Sequence, residues 1–167
     1  MSKSSGAILM KGPLVAVLAA ALLSGGAAVF PAAAESYETS AYSLFEETNT
    51  TRDNLADGQV MITITSAGTF VTDNPDIPLN QSLYKCFGTF VVSADGTESK
   101  GNGFCSGIDL REDVWWVRWS GSIGGGTWTF IDGTGRYQGM TGSGQWQQAD
   151  AGFGRDVNTW TGTIELP

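Results

Sequence analysis

The sequence has 167 residues, with seventeen acids, nine bases and a formal net charge of −8, and it contains no histidine. Without histidine, Ser-His-Asp and Cys-His nucleophile systems and histidine metal ligands are excluded. An acidic surface with no basic stripe repels nucleic acid and anionic membrane, both of which are held through Lys and Arg.

Residues 1–34 read as a secretory signal peptide. Lys3 and Lys11 lie in a start that has no acid, an apolar run extends from Pro13 to Phe30, and Ala32-Ala33-Ala34 forms a small-residue cleavage pattern. The alternative is a membrane anchor, but Gly25-Gly26 and the polar sequence from Glu35 onward make a poor stop-transfer segment. Cleavage would leave residues 35–167 in the periplasm or outside the cell, with no stable membrane span. Loss of Lys3 and Lys11 takes the net charge to about −10. That length suits one domain with a real core.

Residues 35–58 form a polar N-terminal segment with a first strand over Ala41–Glu47 and a loop over Thr48–Gly58. The barrel domain described below is assigned to 59–167. Val60–Thr65 alternates with a period of two, and Thr69–Thr72 follows. Asp73–Asn80 holds two prolines, which do not sit inside a central strand. Leu83–Val92 and Ser99–Ile108 form a hairpin about Asp95-Gly96, a favoured two-residue turn. Pairs in that register sum to 191, so Cys86 faces Cys105, and an exported chain with two cysteines points to a disulfide. Two free buried thiols are the alternative. A two-residue turn puts the pair at a hydrogen-bonded site, where Cα atoms stand about 5.5 Å apart; a bulge near Lys100-Gly101 would adjust this.

Asp109–Asp113 is a charged turn. Val114–Ser120 is a strand with Trp115, Val117 and Trp119 on one side and Trp116, Arg118 and Ser120 on the other. Gly124–Gly126 turns the chain. Strands are then expected at Thr127–Ile131, Arg136–Met140, Ser143–Gln147 and Thr159–Leu166. Eight or nine short strands with no helical period predict an all-β antiparallel fold, and a single closed barrel of about eight strands removes exposed edges without a second sheet.

The stretch DGTGRYQGMTGSGQW over 132–146 has glycines at 133, 135, 139, 142 and 144. A dinucleotide loop needs a buried parallel strand before it and a helix after it. Here the preceding TWTFI alternates, and a helix through the following glycines would lose roughly 1 kcal/mol at each relative to alanine. The better reading is turn, strand, turn, strand. Gly133 and Gly135 serve a tight reversal, Tyr137 points inward with Gly139 leaving space beside it, Gly142 turns the chain, and Gly144 shares a face with Trp146. GTGRYQGMTGSG resembles the GTG-x-aromatic-x-G-x-x-G signature of the allene oxide cyclase and dirigent barrel superfamily. It is most similar to its secreted bacterial members. Cys86-Phe87-Gly88-Thr89 and Gly101-Asn102-Gly103-Phe104-Cys105 occur in matching order, and the resemblance covers about residues 59–166. It implies an eight-stranded antiparallel calycin-like barrel, often with an apolar cavity. It also implies confinement of a reactive molecule without metal or organic cofactor.

Trp116, Arg118, Trp128, Phe130, Tyr137 and Trp146 are the cavity candidates, with Arg118 or Glu165 as an inner polar group and Glu112 and Asp132 at the barrel ends. No catalytic residue of the plant enzymes maps onto this chain. Glu112-Asp113 and Asp73…Asp76 are paired acids without a D-x-D-x-D-G ligand series, so they read as solvated turns. Three functions compete: a binder of a small apolar or aromatic ligand, a filled barrel acting through its surface, and a cofactor-free cyclase or isomerase. Related barrels form dimers and trimers, so self-association is a further open expectation.

Overall fold

The computed structural model describes residues 35–152 and 155–167; the signal peptide expected over residues 1–34 lies outside the described residues. Eight antiparallel strands close into a barrel in chain order. They are β1 (Glu35–Asn54), β2 (Val60–Thr72), β3 (Ser82–Val92), β4 (Ser99–Ile108), β5 (Val114–Ser122), β6 (Gly125–Gly133), β7 (Thr141–Gly152) and β8 (Arg155–Leu166). β1 pairs with β2 on one side and, over Glu35–Phe45, with β8 on the other, which closes the sheet on itself.

Three expectations change. Residues 35–54 are one long barrel strand rather than a short strand and a loop. Most of their Glu, Asn, Thr and Ser face solvent, with Thr39 and Ser43 turned inward, which gave the segment its loop-like composition. Ser66–Gly68 does not interrupt β2. Arg136–Met140 is not a strand: Gly135–Tyr137 is a turn of 3-10 helix, and Gly135 and Gly139 have positive φ of 52° and 77°. Gly133 does not supply the second left-handed position of the reversal; Gly139 does.

The β3–β4 register has the expected sum and contains no bulge. Its turn is longer than two residues. Ser93 donates its N–H to the Glu98 carbonyl, and Gly96 donates to Ser93, so the loop is Ala94–Thr97. That moves the hydrogen-bonding phase by one residue and leaves every partner unchanged. Cys86 and Cys105 therefore fall on a non-hydrogen-bonded pair. Their Cα atoms stand 4.0 Å apart and their sulfurs are joined.

Glycine lets the interior hold large rings. Tryptophans at 115, 119, 128, 146 and 160 are all buried. A Cβ on Gly88 or Gly103 would lie 2.1 or 2.5 Å from the Trp119 ring, and one on Gly107 would lie 2.1 Å from Trp115. These glycines are the floor on which the rings lie.

Candidate functional site

Alternation decides what reaches the interior. On β5, Trp115, Val117 and Trp119 point inward, because β4 places Gly107 and Gly103 opposite Trp115 and Trp119. Trp116 and Arg118 therefore stand on the outer face, exposed, contrary to their assignment to a cavity. Trp128, Phe130, Tyr137 and Trp146 are buried. Glu165 and Glu112 are exposed, as is Asp132. The sequence signal that separates the two faces of β5 is the glycine opposite each inward tryptophan.

The interior rings form two layers. Phe70, Trp115, Phe130, Trp128 and Trp160 make a closed circuit, with successive centroids 5.4–6.4 Å apart. Phe90, Trp119 and Trp146 form a second, shorter row at 5.2 and 5.9 Å. Most of these pairs meet edge to face, the arrangement that ring quadrupoles favour. Within the circuit only about 20 Å³ is empty. Beside the second row lies a cavity of about 70 Å³, walled by the Cys86–Cys105 disulfide, Tyr84 and Trp160, with Glu47, Gln148 and Asn158 on its polar side.

The indole N–H groups report how complete this core is. Trp115 donates to Ser82 at 3.2 Å and Trp160 to Ser43 at 2.8 Å. Trp128 shares its N–H between the Gln145 and Thr161 carbonyls. Trp146 Nε1, Asn158 Oδ1 and the Tyr84 hydroxyl are buried without a hydrogen-bond partner, and all three residues line the 70 Å³ cavity. Burial pushes the Tyr84 phenol above its ordinary pKa, with the Ser43 hydroxyl pulling the other way although no hydrogen bond closes between them.

The opposite end of the barrel is sealed. The β2–β3 loop buries Ile77 and Leu79, and the GTG segment buries Tyr137 completely. The Tyr137 hydroxyl sits 2.6 Å from the Pro78 carbonyl and 2.8 Å from Asp109 Oδ2. Arg136 donates from Nε to Asp109 Oδ2 at 2.8 Å and from its terminal nitrogen to the Pro78 carbonyl at 2.6 Å. Asp109 Oδ1 accepts the Arg111 and Asp113 N–H groups. Burial pushes the Asp109 carboxyl up, but Tyr137, Arg111, Arg136 and Asp113 together hold it below the usual range. Tyr137 moves up, first through burial and then through its bond to Asp109. The glycine-rich segment is thus the plug of one barrel end. Its Arg136 and Tyr137 side chains are bonded to Asp109 and to the Pro78 carbonyl.

Among the described residues there is no cluster of three or more potential metal ligands. Within them, too, no helix is long and apolar enough to cross a membrane.

No protein-family model matches the chain, and no curated protein matches it. Solved structures similar to it include the pterocarpan synthase dirigent proteins GePTS1 and PsPTS1. The first is 11% identical with a TM-score of 0.46, covering 80% of this chain and 86% of its own. The second is 12% identical at 0.44, covering 80% and 95%. A pyocyanin demethylase is 10% identical at 0.43, covering 77% of this chain and 99% of its own. At these identities and scores no activity or residue role passes from them to this chain.

Proposed function

We propose that the chain is an exported barrel that acts through its outer surface, with the interior serving as its core. The carrying observation is the filled interior. Ligand sites for small organic molecules enclose about 300–1,000 Å³, and the two inner cavities here hold about 70 and 20 Å³. The signal-like start and the disulfide support export. Arg118 and Glu165, the two inner polar groups that a cyclase reading would use, are both exposed.

A second reading is a binder of a very small polar ligand in the 70 Å³ cavity. The unpartnered Trp146 N–H, Asn158 carbonyl and Tyr84 hydroxyl favour it. A site of that size suits a few waters or a molecule of a few heavy atoms.

Native mass spectrometry of the exported protein, before and after organic extraction, separates the two. The expected species is the bare polypeptide of residues 35–167 less the two hydrogens lost on disulfide formation. An added mass that extraction removes would overturn the surface-acting reading and identify the ligand class.

A further inference from the structure

The acidic charge of this protein is unevenly placed. β3, β4 and β5 contain Lys85, Lys100 and Arg118 and not one Asp or Glu, in a chain where acids outnumber bases 17 to 9. All three bases are exposed. Acids border the face without entering it. Glu112 and Asp113 lie in the loop at one end, Asp95 and Glu98 in the hairpin at the other, Asp132 lies on the neighbouring β6 opposite Trp116, and Glu46 lies two strands away beyond Ala67.

The same three strands carry exposed apolar side chains. Leu83 is 62% exposed and Phe87 58%, with Phe104, Ile108 and Trp116 also open to solvent. They are neighbours: Leu83 is opposite Ile108, Phe87 is opposite Phe104 with centroids 5.7 Å apart, and Phe104 is opposite Arg118. Leu110, 79% exposed, and Arg111 continue the set into the β4–β5 loop. Single exposed apolar residues are ordinary; a contiguous group interleaved with bases marks an interaction surface.

We infer that this β3–β5 face docks on an anionic lipid surface; the inference rests on the surface-acting reading above. The wall of a closed barrel is convex, and a convex apolar ridge can enter a yielding headgroup layer, whereas a rigid partner would need a matching hollow. Leu, Ile, Phe and Trp side chains bracketed by Lys and Arg have the composition of interfacial anchors, with the charged tips reaching headgroup phosphates. A flat polysaccharide would call for coplanar rings, and Phe87 and Phe104 are tilted by 33°. A second copy meeting the same face head-on would set Lys85 and Arg118 against themselves, with the acids of β1 and β6 only at its margins. The net negative charge, which argues against anionic membranes at long range, is screened beyond about 8 Å at physiological salt. At contact the local face decides.

The test uses the oxidised chain of residues 35–167, co-sedimented with phosphatidylcholine vesicles or with vesicles that also contain phosphatidylglycerol. Binding to the mixed vesicles should be about tenfold stronger. The pair Lys85→Glu and Arg118→Glu, or the pair Phe87→Ser and Phe104→Ser, should each lower it by about tenfold. Both pairs lie on the outer face, so near-ultraviolet circular dichroism should stay unchanged. Trp116 emission should move to the blue on binding, and Trp116→Phe should abolish that shift. Failure to sediment with either vesicle overturns the inference. So does equal binding to both that ignores the charge variants, or a multimer that Phe87→Ser dissociates. None of these touches the surface-acting reading. That reading falls instead to an extractable inner ligand, whatever the vesicles show.

Discussion

Tyr137 shows how much of the barrel's integrity rests on single atoms. Its hydroxyl and the Arg136 guanidinium meet a carboxylate, Asp109, that the fold has taken out of water. Removing one partner from a buried charge-bearing group costs about 1–3 kcal/mol. Tyr137→Phe should lower stability by that amount in urea unfolding. Acid should act through the same group. Its folded pKa lies below its unfolded one, so its contribution is present above the unfolded value and lost as pH falls through the folded value. Stability should therefore decline as pH drops below about 4. Asp109→Asn should have a lower midpoint at neutral pH and a flatter acid limb in urea titrations run across that range. The tryptophans allow a sharper comparison. Trp160→Phe breaks a bond to Ser43, whereas Trp146→Phe removes an N–H that has no partner. Of two ring truncations alike in volume, Trp160→Phe should cost about 1 kcal/mol more. Equal losses in unfolding midpoints would mean that the Trp146 N–H is satisfied in solution by water or a ligand.

Strands explain which parts of this arrangement could be read in advance. The cysteine pairing was legible because β3 and β4 run without a bulge, so one turn position fixes every partner. The hydrogen-bonding phase was not legible, since a two-residue and a four-residue loop give the same register sum. The orientation of β5 was misread because both of its faces carry tryptophan, and only the glycines across the ladder mark the inner one. The Arg136–Met140 stretch mimicked a strand because Tyr137 is buried, although a turn folding over the barrel end buries it. The GTG segment was rightly excluded as a dinucleotide loop, but its role as a plug depends on Pro78 and Asp109, far away in sequence. The glycine floors lead to a prediction at this scale. Gly107→Ala sets a methyl 2.1 Å from the Trp115 ring, so a rigid, packed indole must move. A loss of about 1–3 kcal/mol in thermal or urea unfolding is expected. Gly96→Ala has nothing within 4 Å of the added methyl and costs only its left-handed backbone strain. The disulfide spans 19 positions, and replacing both cysteines with serine should cost about 3 kcal/mol.

For the whole molecule, closure matters more than any one contact. Every described strand has two neighbours, so the wall of the barrel meets a partner chiefly through side chains, with one-sided backbone only where a ladder stops short, as over Glu46–Asn54 of β1. The interior is equally committed, with rings packed edge to face and little room for a guest. The seam between β1 and β8 has a temporal meaning as well. It pairs Glu35 with Leu166 and Phe45 with Asp156, the opposite ends of the described chain. A nascent polypeptide cannot form that ladder until its final strand has been synthesised, and contacts so distant in sequence form slowly. Until then β1 and whichever strand was made last are open edges. Closure is thereby the last act of folding, and the barrel locks only once β8 has reached β1.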